Sequence, residues 1–298
     1  MINQKLISEL RDLETMKQTG SDPEFLTMVE EEMTKIRERI FAEDPDNTRP
    51  LILEVRSGTG GEEAELFAAD LLRMYLRYAE IKNWKTDIVE MNESSIGGVK
   101  LAVVGIRGFG AYPLLKLEGG VHRVQRIPKT EKAGRIHTSA ASVVVMPEVE
   151  EREFDIRPED IRIDVYRAGG KGGQGVNTTD SAVRLTHIPT GMIVTCQDER
   201  SQLKNRDKAM KVLRSRLKQL DDERQAQAKG DLRRSMIGSG DRSDKIRTYN
   251  FPQDRVTDHR INQSWHSMSR IMGGEIDTIT QTMRTTELNE ILHAEDSA

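Results

Sequence analysis

Gly169-Gly170-Lys171-Gly172-Gly173-Gln174-Gly175 sets five glycines around one lysine and one glutamine. Glycine visits positive φ without steric cost, so this run specifies an unusual backbone path with exposed amide groups rather than a packed element. Gln174 is its only uncharged polar side chain, lodged where lost chain entropy makes order costly. The chemistry such a loop can offer is hydrogen-bond donation, largely from peptide N–H groups.

Common imitators of this pattern fail on context. Gly170-Lys171-Gly172-Gly173-Gln174-Gly175 matches G-x-G-x-x-G and follows a strand-like segment, so a dinucleotide-binding enzyme is the rival reading. That fingerprint needs a helix to open at its third glycine, whereas Val176-Asn177-Thr178-Thr179-Asp180 and Val183-Arg184-Leu185-Thr186-His187 are turn- and strand-like. An acid ending a second strand about 20 residues on is also missing. A P-loop fails because Gly172 follows Lys171 where Ser or Thr is required. A flexible hairpin tip is the purely structural alternative. Elsewhere, His122, His137, His187, His259, His266 and His293 form no short-spaced cluster, so no metal site and no cofactor is implied. Cys196 stands among Ile193, Val194 and Thr195 in a strand, a poor setting for a covalent nucleophile.

The elements that must position the loop belong to a multi-domain α+β chain. At 298 residues it is long enough for two or three domains, and 36% hydrophobic, 32% charged and 4% aromatic residues describe a multi-lobed protein with a lean core. Neither a membrane span nor a leader peptide is legible, and the single Cys196 excludes an internal disulfide, so a cytoplasmic site is expected. A net charge of −4 argues against a simple nucleic-acid binder, but Lys204, Arg206, Lys208, Lys211, Arg214, Arg216 and Lys218 form a local basic excess.

Four stretches are expected. Residues 1–45 read as a short helical hairpin, with Leu6, Leu10 and Leu13 followed by Phe25, Met28, Met33 and Ile36 across the turn Thr19-Gly20-Ser21-Asp22-Pro23. Residues 46–155 carry strands at 51–55, 88–91, 101–104 and 142–146, with a helix presenting Phe67, Leu71, Met74, Tyr75 and Tyr78. Residues 156–237 hold alternating Ile161, Ile163 and Val165, the glycine loop, a hairpin about Pro189-Thr190-Gly191, and a helix over 203–227 ending at Gly230. Residues 238–298 contain strand-like Tyr249-Asn250-Phe251-Pro252 and a C-terminal helix.

Several separated motifs then carry a resemblance. Arg167, Gly172-Gly173-Gln174, Val176-Asn177-Thr178-Thr179-Asp180-Ser181-Ala182-Val183-Arg184, Thr186-His187 and Pro189-Thr190-Gly191 resemble the GGQ domain of bacterial class-I peptide chain release factors. Glu54 to Ala64, His122 to Thr130, Gly134 to Ser139 and Gly238 to Ser243 resemble the same family in the same order, over roughly residues 20–270. Pro128-Lys129-Thr130 resembles the P-x-T tripeptide of the branch that reads UAA and UAG, and no Ser-Pro-Phe occurs.

The resemblance implies a codon-reading α/β sandwich, a GGQ-bearing sheet with a long helix, and a C-terminal segment packing on the codon-reading domain. It assigns Pro128, Lys129 and Thr130 to codon recognition, with Thr130 at the second and first bases. His137 and Thr138 fall at the split between second and third bases, Gln125 at the third, and Glu63 with the Gly60-Gly61 turn at the first uridine. Single-stranded RNA is read by hydrogen bonds to splayed bases and by stacking on rings, and a helix N-terminus supplies backbone donors. Gly172, Gly173 and Gln174 are implied to promote hydrolysis of the peptidyl-tRNA ester, with the Gln174 amide N–H stabilising developing charge and its side chain a methylation target. Expected partners are the ribosome with its rRNA, mRNA stop codon and P-site peptidyl-tRNA, a glutamine methyltransferase and a recycling GTPase, the chain itself acting as a monomer without membrane. Gly175 stands where the family commonly has His, Lys171 replaces a small residue, and the N-terminal helical part reads as shortened. A codon-independent ribosome-rescue hydrolase is the alternative within the same chemistry, and a dinucleotide enzyme the alternative outside it.

Overall fold

The computed structural model describes residues 4–128, 134–148, 156–166, 181–199, 201–237 and 244–294. The chain divides into two compact units, one of Met1–Val149 with Leu232–Ala298 and one of Glu150–Asp231.

The first unit opens with helices α1 (Gln4–Thr19) and α2 (Pro23–Ala42). Asp22 starts α2 by accepting the Glu24 N–H, and Pro23 takes the first helical position, where its missing donor costs nothing. Leu6, Ile7 and Leu10 pack on Val29, Met33, Ile36 and Ile40. Strand β1 (Leu51–Ser57), helix α3 (Glu62–Ile81), and strands β2 (Lys85–Glu93) and β3 (Val99–Arg107) follow. A short α4 (Ala111–Leu115) leads to β4 (Gly120–Arg126) and β5 (His137–Pro147). The apolar stripe of α3, Phe67, Leu71, Met74, Tyr75 and Tyr78, is fully buried against Leu53, Val55, Val104, Ile106, Val143 and Val145. Each such side chain contributes roughly 1.5–3 kcal/mol by leaving water.

The second unit is an antiparallel sheet of β6 (Ile161–Tyr166), β7 (Ala182–His187) and β8 (Met192–Cys196), together with most of helix α5 (Gln202–Ile237). Ala209, Leu213 and Leu217 of the helix pack on Val183, Leu185, Val194 and Cys196. Gly191, at φ +69°, turns the chain between β7 and β8. The helix does not end at Gly230 but runs through it to Ile237. One glycine costs a helix only about 1 kcal/mol, too little to stop it without a capping partner beyond.

The chain then re-enters the first unit as β9 (Lys245–Asn250), β10 (Arg255–Asp258), β11 (Gln263–His266), α6 (Met268–Met272) and α7 (Asp277–Ala294). β9 lies parallel to β4, pairing Val124 with Tyr249, and completes an eight-stranded sheet ordered β11-β10-β9-β4-β5-β1-β3-β2. Leu288 and Leu292 of α7 complete the core of the α1–α2 hairpin.

The junction of β4 with β9 encloses a polar cluster. Fully buried Arg247 donates from Nη1 and Nη2 to the two oxygens of Glu118, at 2.6 and 2.7 Å, and from Nη2 to Asp258 at 3.1 Å. Tyr75 donates to the same Glu118 carboxylate at 2.9 Å. His122 bridges the Glu118 carbonyl and the Tyr249 hydroxyl. Burial, aided by the Arg247 charge, lowers the His122 pKa to about 4. Burial alone would raise the Glu118 carboxyl, but Arg247 overrides it and holds it below the ordinary value.

Candidate functional site

The turn before α3 is clamped to the start of β5. Gly58 N–H donates to the Ala140 carbonyl and Ala140 N–H returns a bond to Thr59, each at 2.9 Å. Gly60 sits at φ +142°, and a Cβ there would lie 2.4 Å from Ser139 Oγ, so close approach and backbone geometry both demand glycine. Gly61, at φ +59°, admits the chain into α3, whose first turn carries Glu62, Glu63 and Glu65 where the helix dipole favours acids.

Beside this turn, β4 ends and β5 begins. Gln125 pairs with Thr138, and Arg126 with His137. Successive side chains of a strand point to opposite faces. Arg126 therefore shares the α3 side of the sheet with His137, while Gln125 and Thr138 occupy the other. Arg126 donates Nε to Glu63 Oε1 at 2.5 Å and Nη1 to Asp70 Oδ2 at 2.6 Å, and stacks over the Phe251 ring at 5.3 Å. Burial works against the Arg126 charge, but the carboxylates of Asp70 and Glu63 override it and raise its pKa. On the other face, Asn250 Nδ2 donates to Gln125 Oε1 at 3.3 Å, and Phe251 N–H to the Gln125 carbonyl at 3.0 Å.

Gly60, Glu63, Gln125, His137 and Thr138 are thus gathered at one end of the sheet, where β4, β5 and the α3 N-terminus meet. Glu63 is buried with its carboxylate engaged by Arg126, while His137 is exposed. Pro128 is buried, between Ile127 and Ile136, which are 51% and 56% exposed on either side of the connection. Lys129, Thr130, Gly172, Gly173 and Gln174, with Lys171 and Gly175, lie outside the described residues. Where the chain re-emerges at Ser181, fully buried Asn205 anchors it, donating Nδ2 to the Ser181 and Glu199 carbonyls at 2.8 Å. Arg126, Asp70, Asn250 and Phe251 went unassigned from sequence. Arg126 falls inside a quoted motif, but the pairing of residue 125 with residue 250 leaves no local signal.

Among the described residues, no group of three or more His, Cys, Asp or Glu is placed to hold a metal, and no helix is long and apolar enough to cross a membrane. The family model described as the PCRF domain matches residues 2–143, and that of the RF-1 domain matches residues 148–260. Together they mark a chain of release-factor architecture. "Peptide chain release factor 1" of Desulforudis audaxviator is 48% identical over 303 residues, covering 98% of this chain and 85% of the relative. Its counterpart from Nitratidesulfovibrio vulgaris is 53% identical over 286 residues, covering 92% and 80%. The solved structure "RF2 of Thermus thermophilus" superposes with a TM-score of 0.54 at 35% identity, covering 96% of this chain and 83% of that one. The chain belongs to the peptide chain release factor 1 family.

Proposed function

We propose that the chain terminates translation, reading UAA and UAG in the ribosomal A site and triggering hydrolysis of the P-site peptidyl-tRNA ester. The observation that carries this reading is the convergence of Gly60, Glu63, Gln125, His137 and Thr138 at one sheet end, beside the connection that bears Lys129 and Thr130. Alternation along β5 supports reading on two sides: His137 and Thr138 are neighbours facing opposite ways, which suits bases parted between the second and third positions.

In the hydrolysis, a water oxygen attacks the ester carbonyl carbon, the bond to the ribose 3′ oxygen breaks, that oxygen takes up one of the water's protons, and the other is released to solvent. The products are a peptide carboxylate and a free 3′ hydroxyl. Gln174 contributes its backbone N–H to the charge developing there, and Gly172 and Gly173 permit the approach. The reaction belongs to the ribosome-bound state, not to a free-standing enzyme. The setting is the cytoplasm, the chain acts as a monomer, and Gln174 is the substrate of a glutamine methyltransferase. The helical hairpin of residues 1–45 is the part through which a recycling GTPase would be met.

The test is peptide release from reconstituted ribosomes programmed with UAA, UAG, UGA or a sense codon. Release confined to UAA and UAG is the expected result; codon-blind release would establish a rescue hydrolase instead.

A further inference from the structure

We propose that the Arg123 guanidinium is a phosphate-binding site for the message, taking the phosphate that joins the codon's third nucleotide to the one after it. It rests on the stop-codon reading above. Arg123 and Arg126 leave β4 on opposite faces and meet opposite surroundings. Arg126 is held by two carboxylates on the α3 side. Arg123 is half-buried on the other face, which it shares with Gln125, Thr138 and its partner across β9, Thr248. Among the described residues it has no carboxylate partner and one side-chain hydrogen bond, from Nε to Thr248 Oγ1 at 3.2 Å. Thr248 Oγ1 is fixed in turn by His259 Nε2 at 2.7 Å. The guanidinium is thereby aimed through Nε, while Nη1 and Nη2 form an open fork, the pair of donors that suits phosphate oxygens.

The surroundings favour an anion. Burial works against the Arg123 charge, and no acid offsets it. Burial, then the charges of Lys245 and Arg123, hold the His259 pKa below its ordinary value. The adjoining acid, Asp258, is spent on Arg247 and Arg260. A half-buried cation without a counter-charge costs stability, so packing alone gives no reason for arginine here. The order of the codon contacts then names the occupant. With Thr130 at the first two bases and Gln125 at the third, the chain from 130 back to 125 runs toward the 3′ side of the codon. Arg123 lies about 7 Å beyond Gln125 along the same face of β4. One nucleotide of a splayed, unstacked strand can span that step, and the group it brings there is the phosphate following the third base. Such a contact positions the strand without reading sequence, so it serves UAA and UAG alike.

The experiment reads the half-saturating factor concentration for release on ribosomes carrying three messages: one that continues past the stop codon, one that ends at its third nucleotide with a 3′ hydroxyl, and one that ends there with a 3′ phosphate. Arg123→Gln should raise the half-saturating concentration about tenfold on the continuing message. The wild type should lose the same factor on the message ending in a hydroxyl, where the two proteins converge, and recover on the one ending in a phosphate, where the variant does not. The salt dependence of the variant on the continuing message should be shallower by about 0.7 in log–log slope, the value of one single-strand phosphate. Arg123→Lys keeps the charge without the fork and should recover part of the loss. No deficit in Arg123→Gln would overturn the phosphate contact, and a deficit of equal size on all three messages would overturn its assignment to the message and place it on rRNA. A urea midpoint that falls in Arg123→Gln and is restored in Arg123→Lys along with binding would make Arg123 a structural residue. Wild-type release that ignores the codon would overturn the stop-codon reading instead.

Discussion

Arg126 Nε and Glu63 Oε1 stand 2.5 Å apart, tying the end of β4 to the first turn of α3. The same guanidinium reaches Asp70 two helix turns further on, so one cation links two carboxylates of α3. Its side chain is 18% exposed and that of Glu63 is 7% exposed, so neither charge is well solvated. Arg126→Ala strands the buried Glu63 carboxylate and leaves Asp70 only its ion pair with Arg73, and should cost about 2 kcal/mol, below the 3–5 kcal/mol of a fully buried pair. Arg126→Lys cannot span both acids with its point charge and should recover only part of that loss. Urea midpoints for the three proteins check this; equal midpoints for alanine and arginine would refute it.

Gly60→Ala adds a methyl where Ser139 Oγ and Cβ would be 2.4 and 2.6 Å away, in a backbone conformation that side chains avoid. The turn must move off β5. We expect a loss of about 1–3 kcal/mol and a larger drop in release at UAA and UAG than at the level of ribosome binding. Release kinetics with a parallel binding measurement separate the two effects.

Acid should weaken the first unit earlier than carboxylates alone would allow. Unfolded, His122 binds a proton near pH 6.5, but in the folded state only near 4, so stability falls as pH drops through that window. The loss between pH 7 and pH 5 should be about 2 kcal/mol from this residue. Glu118, also lowered on folding, adds to it as pH falls below its ordinary value of 4.5. Denaturant titrations at the two pH values test the slope, and a flat response would refute the buried neutral imidazole.

Gly230 is helical, and a Cβ there meets no atom within 4 Å. Gly230→Ala should therefore stabilise α5 by about 1 kcal/mol. A lower midpoint in the variant would mean that this position needs glycine for another reason.

Gln174→Pro deletes the N–H assigned to the ester hydrolysis and should abolish release, while Gln174→Ala keeps that N–H and part of the activity. Single-turnover release from UAA-programmed ribosomes distinguishes them. Wild-type rates in the proline variant would end the backbone-amide mechanism.

The elements legible in the sequence are those whose burial is one-sided and local. The α1–α2 hairpin shows its turn and its leucine spacing, and α3 shows its aromatic stripe. β4 was hidden because its α3-facing positions His122 and Arg126 are polar and reach partners far away in sequence, Tyr249 and Glu63, so no apolar alternation survives. β10 and β11 are four residues each, too short for a pattern, and their turns rely on Asp254 and Asn262 at positive φ rather than on glycine. At the site, motif residues such as Gln125 and His137 were legible by resemblance, but Asn250 and Asp70 were not, since only tertiary register brings them near.

The parallel pairing of β4 with β9 sets a timetable for the nascent chain. Glu118 must wait for Arg247, its only guanidinium partner in the buried cluster, until the whole second unit has been synthesised. At roughly 5–20 residues per second this leaves β4 as an open edge, beside a carboxylate that cannot yet be buried, for on the order of ten seconds. Three of the eight strands, β9, β10 and β11, thus join this sheet only after the second unit has emerged, and the growing polypeptide needs shielding at the β4 edge until then.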